Sequence, residues 1–248
     1  MWNRRFWTHG AGSYALAILI ALTIRWAFME AYVIPSGSML PSLLIRDHIF
    51  VNKLVYGIRF PFSEKWLAEF GKPKRGEVIV FKVPTEKSTF YIKRVVGIPG
   101  DKILYEDGKL FINDEPMPLR DPGPKDNYNY SFLRDSDFQK GGMFLTIEDF
   151  EHKIEDLFGV EHDVLLQKGE YLGVTQGPWV VPENQLFVMG DNRNRSKDSR
   201  YELSYVPEDY VLGRAMFVWL SCEETLPVVS FLCNPLTIRW KRFFHQVK

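Results

Sequence analysis

Residues 90–113 read FYIKRVVGIPGDKILYEDGKLFIN, and this stretch decides the fold class. Aromatic and β-branched residues fill 90–96, and Gly97-Ile98-Pro99-Gly100 closes them, which is the pattern of a strand running into a turn. In 103–113 the pair Asp107-Gly108 supplies the two positive-φ positions of a tight type I′ turn, so this segment reads as a hairpin. Working outward, 48–55 (HIFVNKLV), 77–81 (EVIVF), 186–189 and 211–220 also read as strands. No helix–strand alternation appears, which argues against a parallel α/β sheet. The expectation is a mainly β, antiparallel domain.

One segment breaks that pattern at the amino terminus. Residues 11–28, AGSYALAILIALTIRWAF, carry a single charge, Arg25, near their end. About 18 residues at a rise of about 1.5 Å almost cross a hydrocarbon core of about 30 Å. Trp26 and Tyr32 suit the interfacial aromatic belt, and Arg4 and Arg5 place the short N-terminus in the cytosol. The chain therefore divides into a cytosolic 1–10, a transmembrane anchor over 11–30 and an extracytoplasmic domain over 31–248. A cleaved signal peptide is the competing reading, but no A-x-A site follows the apolar run. The apolar stretch 226–236 is too short and too broken by Pro227 and Pro235 for a second span.

An insert of about 115–182 is rich in Asp, Gly and Pro. Within it Ile147, Phe150, Ile154, Leu157 and Phe158 recur at helical spacing. Thr146 stands at a cap position, with Asp149 three residues on and Gly159 past the end. These residues predict a short amphipathic helix, and the carboxylates of the insert read as a solvated face. The 248 residues carry 31 basic and 31 acidic side chains, and this balance gives no electrostatic reason to expect nucleic acid. Two cysteines, Cys222 and Cys233, are too few for a local metal site. They read either as a disulfide or as two buried thiols.

Residues 34–43, IPSGSMLPSL, set two hydroxyls among Pro35, Gly37 and Pro41. A rigid loop of this kind either is a plain turn or presents a nucleophilic serine. A serine nucleophile needs a base. None of the five histidines, His9, His48, His152, His162 and His245, has a triad-like neighbourhood, and each reads as a surface residue. Lys93 lies in an apolar strand, where burial would lower its pKa and leave an amine able to take a proton. Adjacent Arg94 would depress it further. The alternative is an edge strand from which Lys93 reaches water. A third stretch, 189–200 (MGDNRNRSKDSR), is either a structural turn or a loop that orients the lysine.

In this order and spacing the anchor, PSGSMLPSL, RGEVIVF, YIKRVVGIPGD and MGDNRNRSKDSR closely resemble bacterial type I signal peptidases. The resemblance implies a coiled antiparallel β-sheet catalytic domain that cleaves signal peptides through a Ser-Lys dyad, with no cofactor and no metal. By it Ser38 matches the nucleophile, Lys93 the general base, Ser36 the oxyanion donor and Ser196 the hydroxyl that orients the lysine. Asp198 and Arg200 match a supporting salt-bridge region, with Asp191 and Arg193 in the same loop. The substrate surface maps onto Tyr32, Ile34, Pro35, Met39, Leu43, Ile49, Val80, Tyr91 and Ile92. The implied partners are signal-peptide-bearing preproteins, the lipid bilayer and the secretion translocon, and the implied location is the bacterial cytoplasmic membrane. This chain departs from the family where Arg46 replaces a usual glycine, and where Asn194-Arg195 replace Asp-Asn. The rival functions are a self-cleaving repressor-type Ser-Lys hydrolase, which would need a DNA-binding head, and a non-catalytic envelope module that binds exported chains.

Overall fold

The computed structural model describes all residues except 1–10, 61–62, 64, 140–143, 202 and 227–228. The expected Arg4, Arg5 and His9 lie outside the described residues. Ala11–Ala27 forms one helix of 17 residues, about 25 Å long at the α-helical rise. No helix among the described residues is long and apolar enough to cross a membrane. This differs from the sequence expectation because the backbone leaves the helix at Ala27 and enters a strand at Met29, which stops the apolar run short.

The strands expected from composition are present and pair antiparallel. In spatial order the main sheet runs Met29–Val33, Asp47–Asn52, Val211–Ser221, Val78–Val83, Glu86–Gly97, Gln185–Met189 and Val206–Pro207. His245–Gln246 also pairs with Val211–Ser221. Ile79, Phe81, Val95, Val188 and Val211 form one apolar cluster. Ile34, Met39, Leu43, Ile49, Val51, Val80 and Val218 form another. The hairpin Lys102–Glu106/Lys109–Ile112 turns at Asp107 (φ 48°) and Gly108 (φ 76°), the pair of left-handed residues a I′ turn requires.

The insert corrects the helix expectation. Ile147–Asp149 is a single 3₁₀ turn, and Phe150–Leu157 continues as a strand paired with Val160–Gln167. The capping box was correctly located, since Thr146 N–H donates to Asp149 Oδ2 at 2.7 Å, but it opens a turn. The punctuation that matters is Phe158-Gly159, with φ of 54° and 92°, a second left-handed pair that reverses the chain. Phe150 and Ile154 are buried on one face of this hairpin, and Glu155 and Leu157 on the other. A strand covered on both faces loses the alternation that identifies it. The carboxylates here are not all solvated: Glu155 is buried and ion-paired to Arg193.

Cys222 and Cys233 form a disulfide with Cα atoms 5.6 Å apart. It fastens the C-terminal segment, whose Arg239 and Arg242 reach back to the chain that follows the 34–43 loop. Arg239 Nη1 donates to Ile45 O at 3.2 Å, and Arg242 Nη2 pairs with Asp47 at 2.6 Å.

Candidate active site

Ser38 sits in a turn gripped from two sides. Gly37–Met39 makes one 3₁₀ turn, and Ser36 before it is extended (φ −141°, ψ 160°) and exposed. Met39, Leu40, Leu43 and Leu44 are fully buried and pin the turn to the core. On the other side Asn192 N–H donates to Ser38 O at 3.1 Å, and Asn192 Nδ2 donates to Gly37 O at 3.0 Å. The hydroxyl is thus carried on backbone held by both its own leucines and a distant loop.

Lys93 lies on Glu86–Gly97, where it pairs with Ile79, and the pairing of this strand with Gln185–Met189 begins at the next residue, Arg94. The side chain does not reach water as the edge-strand alternative expects, since it is buried. Lys93 is 4% exposed, and its Nζ lies 2.7 Å from Ser38 Oγ and donates to Ile92 O at 3.0 Å. Burial pushes the lysine from its ordinary 10.5 down to about 8. Asp198 and Asp191 pull it upward, and Arg200 adds to the downward push. Arg94 does not take the role expected of it. Its guanidinium is committed to Asp191 through two hydrogen bonds of 2.8 and 2.7 Å, and donates to Gly76 O at 2.7 Å. An amine whose pKa is lowered toward neutrality, within hydrogen-bond reach of a serine hydroxyl, has the geometry a nucleophile and its base require.

The 189–200 loop is held by buried ion pairs. Arg200 forks onto Asp198 at 2.9 and 2.8 Å, and Asp198 accepts from Gly190 N at 3.0 Å. The other two sequence-expected members of this region find partners outside the loop: Asp191 with Arg94, and Arg193 with Glu155. Ser196 Oγ is buried beside Asp198, and its hydroxyl is among the groups that hold the Asp198 carboxyl below the ordinary carboxylate value. Ser196 lines the same cleft as Lys93, a space of about 900 Å³ that also takes in Ser36, Ser38, Tyr91 and Ile92. No described histidine lines it. His48 and His162 are buried, contrary to their surface reading, and His152 is bonded to Asp163 at 2.7 Å.

Comparison with known proteins decides the family. The model of the family described as signal peptidase, peptidase S26, matches residues 7–220. A signal peptidase I of Pseudomonas fluorescens is 38% identical over 232 residues, covering 90% of this chain and 75% of that protein. The chain belongs to the signal peptidase family. A signal peptidase I of Buchnera aphidicola is 36% identical over 248 residues, covering 90% of this chain and 78% of its own. A signal peptidase I structure from Enterococcus faecalis, 27% identical, covers 59% of this chain and 98% of its own with a TM-score of 0.33.

Of the substrate-surface residues expected for a signal peptidase, Pro35, Tyr91 and Ile92 line the cleft. Ile34, Met39, Leu43, Ile49 and Val80 are buried in the cluster under the Ser38 turn, with Tyr32 and Ile92 packed against it. Arg46, where the signal peptidase family usually has glycine, adopts φ 67°, the left-handed conformation for which glycine is suited. Its guanidinium donates to Glu223 O, a contact glycine cannot make. Sequence reasoning missed Asn192, which clamps the turn, and Asp137, Phe138 and Gln167, by which the insert walls the cleft. It also passed over Gly190. A Cβ there would overlap Ser196 Oγ and the Ser38 carbonyl oxygen, so only glycine lets the two loops meet.

Two outcomes follow. Gly190→Ala is expected to lower peptide-bond cleavage by about 10²-fold, because it displaces both loops by a fraction of an ångström or more. Steady-state assays beside a melting curve check this, and wild-type activity in a folded variant refutes it. The rate should also track the neutral amine of Lys93, rising from roughly a tenth of maximum at pH 7 to roughly nine tenths at pH 9 for a value near 8. A pH–rate profile flat across that range excludes a lysine base.

Proposed function

We propose that the chain is a membrane-seated serine endopeptidase that removes N-terminal signal peptides from exported preproteins, with Ser38 as nucleophile and Lys93 as general base. The observation that carries this reading is the 2.7 Å approach of Lys93 Nζ to Ser38 Oγ at a lysine whose pKa burial has lowered. Neutral Lys93 takes the Ser38 hydroxyl proton as Oγ attacks the scissile carbonyl. The resulting oxyanion is held by the Ser36 hydroxyl and the Ser38 N–H. The new Lys93 ammonium returns its proton to the departing amine, which leaves an ester on Ser38. Water then gives a proton to Lys93 and attacks the ester, the acid product leaves, and Ser38 recovers its hydrogen. Ser196, Asp198 and Arg200 support the lysine side of the site, and Asp191 and Arg193 brace the loop that carries them.

The Ala11–Ala27 helix supports the membrane half of the reading. Tyr14, Ile18, Leu19, Ile20 and Leu22 are all more than half exposed, an apolar surface on every side that water does not favour. We place it in the bilayer with Arg4 and Arg5 on the cytosolic side and residues beyond about 30 outside the cytosol. The Cys222–Cys233 disulfide fits an oxidising compartment.

Ser38→Ala and Lys93→Ala should each lower cleavage of a preprotein by about 10⁴-fold or more. Ser36→Ala should lower kcat by about 10²–10³-fold with little change in KM, since the oxyanion exists only along the reaction path. Activity of folded Ser38→Ala above a few per cent of wild type would remove Ser38 as nucleophile, and a folded wild-type chain that binds preproteins without cutting them would favour the non-catalytic module. Protease added to intact spheroplasts should digest the domain beyond residue 30, and its protection would reverse the orientation.

A further inference from the structure

The C-terminal segment takes no part in the chemistry above, yet it touches the supports of both reacting side chains. Trp240–Arg242 makes one 3₁₀ turn, and Arg242 at its end is fully buried. Its guanidinium serves the serine loop and the insert at once. Nη2 donates to Asp47 Oδ2 at 2.6 Å and to Ser42 O at 3.2 Å, and Nε donates to Asp47 Oδ1 at 3.3 Å. Nη1 donates to Asn129 Oδ1 at 3.0 Å, and the group lies 5.6 Å from the centroid of the Phe132 ring.

These contacts fall on the far end of the Ser38 turn. Leu43 N donates to Met39 O at 2.9 Å, and Leu44 N donates at 2.9 Å to Asp47 Oδ2, the same oxygen that takes Arg242. The turn is thus held at its start by Asn192, which grips the Gly37 and Ser38 carbonyls, and at its finish by Arg242. Arg239 adds a grip just beyond, donating to Ile45 O at 3.2 Å. The tail then runs on to the lysine side. Val247 packs on the cluster that holds Met39 and Leu43, and Lys248 O accepts from Nη1 of Arg94, the neighbour of Lys93, at 2.6 Å.

A lysine could neutralise Asp47 as well as Arg242 does. Reaching Asp47, the Ser42 carbonyl and Asn129 together needs the fixed fork of donors that a guanidinium has and an ammonium lacks. We propose that Arg242 is a positioning residue for peptide-bond cleavage, acting through Ser42 and Asp47 to hold the Ser38 hydroxyl at the Lys93 amine. The proposal rests on Ser38 and Lys93 as the reacting pair, and goes beyond that reading by giving the C-terminal segment a part in the rate. A misplacement of about 1 Å in an attacking group costs about 10²-fold, so even a small slackening of the turn is felt.

The test compares the full wild-type chain with Arg242→Lys and with Arg242→Met/Asp47→Asn. Arg242→Lys keeps a charge opposite Asp47 and the double variant removes both charges, so neither leaves a buried carboxylate alone. Arg120→Lys, at an exposed ion-paired arginine of the insert, is the control. Preprotein cleavage is measured across pH in detergent, beside melting curves and deuterium uptake of residues 38–44. Each Arg242 variant should lose about 10- to 10²-fold in kcat with KM within about twofold of wild type. Uptake in 38–44 should quicken, the pH midpoint should stay in place, and Arg120→Lys should match wild type throughout. Wild-type kcat or unchanged uptake in a folded Arg242 variant overturns the proposal. So does a loss that vanishes on cooling well below the melting temperature, which would mean stability alone. A rise in KM at constant kcat would mean substrate contact, and a moved pH midpoint would mean action on the Lys93 proton, and either overturns it as well. Wild-type cleavage by Ser38→Ala would sink the reacting pair itself, whereas failure confined to the Arg242 variants leaves that pair standing.

Discussion

The constraint on which the site depends is the burial of an amine. Lys93 is 4% exposed at the floor of the cleft, and burial there disfavours its ammonium form. Folding carries a cost here, because the buried amine gives up its proton more readily than a lysine in water. The unfolded chain holds its lysine proton up to about pH 10.5, whereas the folded chain gives it up near 8. Between those values the unfolded state binds more protons, so the stability contributed at this position rises with pH across that window and is least below it. The rest of the domain must supply what this residue withholds.

Four buried acid–base pairs hold the segments around this part of the domain: Arg94 with Asp191, Arg200 with Asp198, Arg193 with Glu155, and Arg242 with Asp47. Arg200–Asp198 lies within one loop and Arg94–Asp191 beside a strand pairing already present, whereas the other two join segments distant in the sheet. Arg193–Glu155 ties the nucleophile's clamp to the insert, and Arg242–Asp47 ties the C-terminal segment to the end of the serine loop. Removing one partner from such a pair typically costs about 3–5 kcal/mol, because the other is left charged and dry. Coulombic coupling to Asp198, Asp191 and Arg200 also reaches Lys93 itself, so the same pairs that hold the loops set the balance of charge felt by the base.

The sequence disclosed what local chemistry determines. Asp107-Gly108 announced its turn, the period of 90–96 put Lys93 among apolar neighbours, and the Pro-Ser-Gly-Ser run marked the turn that the fold brings to it. What stayed hidden required partners from elsewhere. The strand Phe150–Leu157 was read as a helix because both of its faces are covered, which removes the period-two signal, and because Phe158-Gly159 was taken for a helix end. Glu155 looked like one more surface carboxylate until Arg193, 38 residues on, met it. Arg94 was assigned to Lys93 by adjacency, although neighbours on a strand point to opposite faces. Motif order made the approach of Ser38 and Lys93 legible, and the ion pairs around them were not, because their spacing in sequence carries no period.

The strand order has a bearing on when the protein becomes active. The serine turn joins the pair Met29–Val33/Asp47–Asn52, and the lysine belongs to the pair Val78–Val83/Glu86–Gly97. These two units do not pair with each other. Val211–Ser221 lies between them and hydrogen-bonds to both. A chain emerging from synthesis or export therefore carries both halves of its dyad long before it carries the strand that unites them. Pairings of such sequence separation form late and slowly. A nascent chain that ends before Val211–Ser221 therefore lacks the strand that holds the Ser38 unit and the Lys93 unit together.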